Sequence, residues 1–405
     1  MKQQTAPSAI EDAAIGPIYL DYQSTTPLDP RVLDAMLPYL RGPAGNPHST
    51  SHLHGQAASR AVETARAEVA ALVGGEPDEI VFTSGATEAD NMLIRGAASK
   101  GREARRNAVV TCVTEHQAVL DVATRLSHAG HELRLVPVDA QGVIDLSALS
   151  QAVAEDVSVV SVMAANNEIG VLQPLAEIGA ICRGAGALFH SDAAQAVGKV
   201  SFDIGEDAVD LASLSAHKLY GPMGIGAAVI TRAARRRIDP LMHGGGQENG
   251  FRSGTLPVAL CVGFGAACRM AAEQRLSEAA SLRGMASAFL ADLTDHGVEF
   301  AVNGSRDARL PGNLNLRFTG VDAEALLMRI RPHVSISSGS ACTAASLDPS
   351  HVLLALGLGA EAAEESVRIG FGRTTTMVEV HRAAETIARA VAGLARLSYS
   401  SAAKE

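Results

Sequence analysis

Along the middle of the chain, short apolar runs rich in β-branched residues alternate with stretches whose apolar positions recur at helical spacing. Glu79–Thr83 (EIVFT) leads into a helix predicted from about Glu88. Ala108–Val113 (AVVTCV) precedes a second from about Gln117, and Leu133–Pro137 follows that helix. Val157–Ala164, Leu188–Ser191 and Leu211–Leu214 continue the series. Runs apolar at nearly every position are buried on both faces, and separated by helices they build a mainly parallel sheet. The pattern therefore predicts an α/β layer fold. After about residue 270 the texture changes to a long Ala/Leu/Arg/Glu-rich helix (about 270–295), short strands at Glu299–Val302 and Asn313–Phe318, and further helices, the last amphipathic. This predicts a large domain over 28–275 and a smaller α+β domain made of 1–27 and 276–405.

The length of 405 residues suggests two or three domains at ~150 residues each. Hydrophobic residues at 47% and charged residues at 19% exclude a disordered chain. Aromatics at 3%, with no Trp, speak against stacking on single-stranded nucleic acid, and a net charge of −10 against wrapping DNA or RNA. The five cysteines are odd in number and scattered without a CxxC pair, which is neither a disulfide framework nor a zinc site. Residues 1–17 include Glu11 and Asp12 without an apolar core, and no uncharged apolar run reaches the ~18 residues a bilayer requires. The expectation is a soluble cytoplasmic protein that touches neither membrane nor nucleic acid.

Three segments carry chemistry. Lysine is rare: Lys2, Lys100, Lys199 and Lys404 read as solvated residues at termini or element ends, while Lys218 follows an apolar strand in Ser215–Lys218. A desolvated lysine there can attack a carbonyl to form an imine, although a lysine snorkelling from a strand end fits the segment equally well. Thr83–Glu88 (TSGATE) joins a strand to a helix and offers backbone N–H groups to a phosphate at the helix N-terminus, or serves as an ordinary capping motif. Asp192 ends the strand run of Phe189–Gln195, where a carboxylate is costly unless it meets a cation. A phosphate-binding turn, a buried Asp and an imine-forming Lys, in that order along a parallel sheet, are what pyridoxal 5′-phosphate requires.

With these segments in place the chain resembles the cysteine desulfurases of the nitrogen-fixation and iron–sulfur type, within the class V aminotransferase branch of fold-type I pyridoxal phosphate enzymes. The matching motifs run almost end to end: Tyr19–Pro27, Gly45–Pro47, Thr83–Glu88, Thr114–Leu120, Asn166–Gly170, His190–Gln195, Ser215–Pro222, Gly244–Glu248, Arg252–Thr255, Ser337–Cys342, and Arg368 with Gly372-Arg373. The resemblance implies a mainly parallel seven-stranded sheet sandwiched by helices. It implies Lys218 as the lysine linked to the cofactor and Asp192 at the pyridine nitrogen. It implies Asn167 and Gln195 near the phenolic oxygen or the substrate side, and His116 stacked on the ring as a proton carrier. Ala86, Thr87, Ser215 and His217 would hold the phosphate, joined by Thr255 from the other subunit of a homodimer, and Arg368 would grip the substrate carboxylate. From the residues alone, His116 also fits a satisfied histidine after a strand, and Arg373 a surface charge.

Cys342 lies in a run of small residues, Ser337–Ser346, that cannot pack a core and reads as an accessible loop; the other four cysteines lie in apolar segments as buried small hydrophobes. The resemblance, to the long-loop group of these enzymes, implies that Cys342 takes the sulfur of L-cysteine as a persulfide, leaving L-alanine, and passes it to a sulfur-acceptor protein such as an iron–sulfur scaffold or a relay protein. A selenocysteine lyase or an aminotransferase is the nearest alternative, and the loop cysteine argues against the aminotransferase. A silent docking scaffold has no need of Lys218, Asp192, His116 and Cys342 together. Met223 departs from the family pattern, where a basic residue is common. His48, His52 and His54 suggest a metal cluster on paper, but the resemblance places them near the site entrance with no metal.

Overall fold

The computed structural model describes residues 16–43, 45–338 and 348–402, with side chains as far as 395. Cys342 lies outside the described residues. Among them, seven strands form the central sheet: β2 (Ile80–Thr83), β3 (Ala108–Cys112), β4 (Glu132–Val136), β5 (Val157–Ser161), β6 (Leu188–Asp192), β7 (Leu211–Ser215) and β8 (Gly226–Ile230). Their order is β2-β8-β7-β6-β5-β3-β4, and the pairs from β7 to β4 are all parallel. β8 alone runs antiparallel to its two neighbours. Six of the strands are buried at every position because both faces are covered, while the edge strand β4 is largely open to solvent. Val109, Val159, Leu188 and Leu211 point into one apolar cluster, while their chain neighbours Val110, Val160, Phe189 and Ala212 point into another. That is the two-residue period of a pleated strand.

Helices α3 (Ala86–Glu103) and α4 (Gln117–His128) cover the first face. The second is covered by α1 (Pro30–Arg41), α2 (Leu53–Leu72), α5 (Leu146–Ala152), α6 (Leu175–Ala185) and the start of α7 (Val258–Asp295). The long helix begins about twelve residues earlier than its composition predicts. The apolar VALCVGFGAAC stretch is helical because Gly265 allows close approach to α2: a Cβ there would lie 2.6 Å from Ala65 Cα. The C-terminal half of α7 enters a separate apolar cluster with Leu20 and with α8 (Ala323–Ile330) and α11 (Met377–Ala402). Residue 275 thus falls inside one continuous helix that joins two cores.

The second core carries a four-stranded antiparallel sheet, β12-β13-β10-β9, from β9 (Ala301–Val302), β10 (Asn313–Arg317), β12 (Ser337–Ser338) and β13 (Ser366–Gly370). α9 (His351–Ala355) and α10 (Ala360–Glu364) precede β13. The N-terminal segment serves both cores. β1 (Ile18–Tyr19) pairs with β11 (Val334–Ser335), and then Thr26 turns back to bind the backbone of His217 with both its N–H and its hydroxyl, each at 2.9 Å. Among the described residues no helix is long and apolar enough to cross a membrane.

Candidate active site

The C-terminal ends of parallel strands are where an α/β sheet opens a crevice for ligands. Here β6 ends at Asp192 and β7 at Ser215, and a single 3₁₀ turn carries Lys218 over the sheet edge. The N-terminus of α3 faces them across a cavity of about 580 Å³. Its lining brings together Ala86, Thr87, His116, Asn167, Asp192, Gln195, Ser215, His217 and Lys218. Thr255 does not line the cavity and is exposed.

At the α3 end, cap residue Gly85 supplies no side-chain bond, so the helix's first-turn N–H groups and positive dipole end are turned toward the cavity. Glu88 reaches back to Ser84 N–H at 2.8 Å and is itself held by Arg252 at 2.8 Å. Gly226 of β8 makes this approach possible: a Cβ there would lie 2.7 Å from Gly85 Cα. His217 meets Thr25 Oγ1 at 3.0 Å, and burial together with Lys218 and Lys199 pulls its imidazole down to about 4. The turn therefore offers neutral donors to an anion at neutral pH.

Lys218 Nζ donates to two backbone carbonyls of the N-terminal segment, Gln23 at 2.7 Å and Ser24 at 2.6 Å. Asp192 accepts from Ala194 N–H at 2.9 Å; burial raises its pKa, and His116 and Lys218 oppose that rise. His116 caps α4, with Nδ1 accepting from Ala118 N–H at 3.1 Å, which leaves the proton of a neutral ring on Nε2.

Arg368 is not in the lining. It is buried beside it, with Nη1 on the Asn167 carbonyl at 3.1 Å and Nη2 on Asp21 at 2.7 Å, and its Nε has no hydrogen-bond partner among the described residues. A guanidinium has five N–H donors, so three remain for a carboxylate. Arg373, read from sequence as a possible surface charge, instead joins Asp29 at 2.8 Å and Glu278 at 2.9 Å and stacks over Tyr220. His52 is the N-cap of α2, and no cluster among the described residues is placed to hold a metal.

Sequence reasoning missed four groups. Asp90 of α3 lines the cavity fully buried, and His190 Nε2 is 3.6 Å away. Burial and the charges of Asp192 and Glu115 push its carboxyl far above the usual range, against an opposing hydrogen bond from Ser213. Glu115 accepts from Met163 N–H at 2.8 Å but leaves Oε2 without a partner, and burial raises it too. Glu168 accepts from Ser350 Oγ at 2.5 Å and is pushed up by burial to about 7. Lys199 is half-buried rather than solvated. The available signal was Asp90's place on the inner row of α3, between Ala86 and Leu93 at helical spacing.

The four described cysteines are buried, and burial raises Cys112, Cys182 and Cys261 to about 12 and Cys268 well above a normal thiol. Such thiols carry almost no thiolate at neutral pH. The cavity fits pyridoxal 5′-phosphate: an uncapped helix N-terminus for the phosphate, an amine for the aldehyde, and a buried carboxylate for a pyridinium nitrogen.

A model of the aminotransferase class-V family matches residues 18–383. The cysteine desulfurase IscS of Rickettsia akari (strain Hartford) is 48% identical over 382 residues, covering 94% of this chain and 93% of its own. Among solved structures, a NifS-like protein superposes with a TM-score of 0.86 at 34% identity, over 93% of this chain and 99% of that one. SspA in complex with cysteine superposes with a TM-score of 0.77 at 33% identity, over 89% of this chain and 100% of that one.

Proposed function

The chain belongs to the class-V aminotransferase family and is a pyridoxal 5′-phosphate-dependent cysteine desulfurase, and within that activity we propose the roles of its residues and partners. When bound, the cofactor supplies an aldehyde that an amine can capture and a ring that withdraws electrons from the substrate's α-carbon. Lys218 is the capturing amine, and Asp192 holds a proton on the ring nitrogen. The α3 N-terminus, Thr87, Ser215 and His217 bind the phosphate, with Thr255 of a second subunit completing the cradle of a homodimer. The exposure of Thr255 away from its own cavity supports that reading. Gln195 and Asn167 orient the ring and the substrate, His116 moves a proton through Nε2, and Arg368 binds the substrate carboxylate with its remaining donors.

Overall, L-cysteine and the Cys342 thiol become L-alanine and a Cys342 persulfide, one sulfur atom moving from substrate to protein. An acceptor protein, an iron–sulfur scaffold or a sulfur relay, then takes that sulfur. Four free, buried thiols among the described residues suit the reducing cytoplasm in which we place the enzyme. The observation that carries the reading is the meeting of Lys218, Asp192 and the α3 N-terminus around one cavity. Borohydride treatment of the yellow holoenzyme tests it: the label is expected on the Lys218 peptide, and a label on another lysine overturns the assignment.

A further inference from the structure

The anion cradle at the start of α3 holds an anion of its own. Glu88 stands in the first turn of the helix and lines the cavity, so a phosphate bound to the N–H groups of that turn meets its carboxylate. The carboxylate also draws on the same positive dipole end that the phosphate needs. Burial works to raise the Glu88 carboxyl, but the bonds from Arg252 and Ser84 outweigh it and hold the group below its usual range, so it is charged at neutral pH. Among the described residues Arg252 is the only cation paired with it: Nε lies 2.8 Å from Oε1 and Nη2 3.4 Å from Oε2. Only 18% of the Arg252 side chain and 15% of the Glu88 side chain are exposed, so solvent screens the pair little. The second Glu88 oxygen takes the Ser84 N–H, one residue ahead of the cap Gly85.

Arg252 is held in place from behind. In its loop, between β8 and α7, the Met242 carbonyl accepts Ser253 N–H at 3.3 Å and Gln247 Oε1 accepts Gly254 N–H at 2.9 Å. The same loop carries Glu248, which accepts the Phe82 N–H of β2 at 2.7 Å. Loop and phosphate turn are therefore joined at two points, Phe82 on one side of the turn and Glu88 on the other.

We propose that Arg252 is a positioning residue for the cofactor's phosphate: it cancels the charge of Glu88 and locks that side chain onto Ser84, so that the turn accepts a dianion. Without the guanidinium, Glu88 is an uncompensated negative charge beside the phosphate, and like charges facing each other across a partly buried site repel strongly. An aldehyde of the same shape without the phosphate meets no such repulsion. The inference rests on the reading of the α3 N-terminus as the phosphate site.

The test titrates apoprotein by absorbance with pyridoxal 5′-phosphate and, separately, with pyridoxal, which has the same ring and aldehyde and no phosphate. Wild type is compared with Arg252→Met, Arg252→Lys, and Arg252→Met combined with Glu88→Gln. Arg252→Met is expected to weaken binding of the phosphate ester about tenfold or more and to leave pyridoxal within about twofold of wild type. Arg252→Lys keeps the cation and should recover most of that loss. The double variant should recover it too, because no charge is left stranded. Arg252→Gln replaces the Met variant if that one fails to fold. An unchanged preference for the phosphate ester in Arg252→Met, or equal losses for both ligands, overturns the inference. So does a loss that Glu88→Gln leaves unrepaired, since Arg252 would then act on the phosphate directly or through its loop. Wild type that binds the two ligands equally well overturns the phosphate-site reading itself.

Discussion

Arg66 and Glu248 join α2 to the turn ahead of α7 as a closed pair, whereas Asp90 and Asp192 line the cavity and Glu115 precedes the lining residue His116, with buried carboxylates that have few partners in the fold alone. In the first region both guanidinium ends meet the carboxylate, at 2.7 and 2.8 Å, Arg66 also holds the Ile80 carbonyl, and Glu248 accepts from Phe82 N–H. In the second, burial pushes all three acids toward the neutral form. A buried polar group left unpaired costs about 1–3 kcal/mol, so a fold selected for stability alone would have replaced these acids. Saturated charge marks the scaffold, and unsaturated charge marks the place where a ligand belongs.

The strongest way to break this contrast is Arg66→Ala. It strands Glu248 in the interior and is expected to cost about 3–5 kcal/mol in urea unfolding. A loss below about 1 kcal/mol would mean that the pair is not closed in solution.

Glu168 is a third case, a buried acid with one oxygen on Ser350 and a folded-state pKa of about 7 against an ordinary value of 4.5. The folded pKa is raised, so its contribution is most favourable below about 4.5 and is lost as pH rises toward 7. Up to about 3 kcal/mol rides on that window. Urea unfolding at acid and neutral pH should show the fall in the parent and a flatter profile in Glu168→Gln; equal slopes would remove Glu168 from the account.

Asp192→Asn is expected to lower turnover roughly a hundredfold or more with an unchanged melting temperature, because it removes an electrostatic contact and leaves the core intact. A variant that melts early while turning over normally would place Asp192 with the scaffold. Asp90→Asn should be the mildest, shifting stability by under about 1 kcal/mol, since a neutral amide replaces an acid already held neutral.

The sheet was legible because its central strands carry apolar residues on both faces. Lys218 and Asp192 were legible because each is a charged residue at the end of such a strand. α7 was cut short in the sequence reading because only its Ala/Leu/Arg/Glu-rich part has the texture of a helix, while its apolar start is helical where Gly263 and Gly265 let α1 and α2 approach. Lys199 was read as a solvated charge, and Asp90 was not singled out. Their burial is set by what α3 and the turn after β6 pack against, and that is a tertiary fact no local spacing encodes. The antiparallel course of β8 was likewise hidden, since pairing direction follows from the short connection out of the Lys218 turn and not from the strand's own composition.

The central claim is that the bound cofactor serves a sulfur transfer ending on Cys342. The most direct measurement is mass spectrometry of the Cys342 peptide after one turnover with L-cysteine, alongside quantitation of alanine. The account predicts one extra sulfur atom on that peptide, removable by a thiol reductant, for each alanine formed, and no persulfide or alanine from Cys342→Ser. Pyruvate and ammonia in place of alanine, or wild-type alanine production by Cys342→Ser, would contradict it.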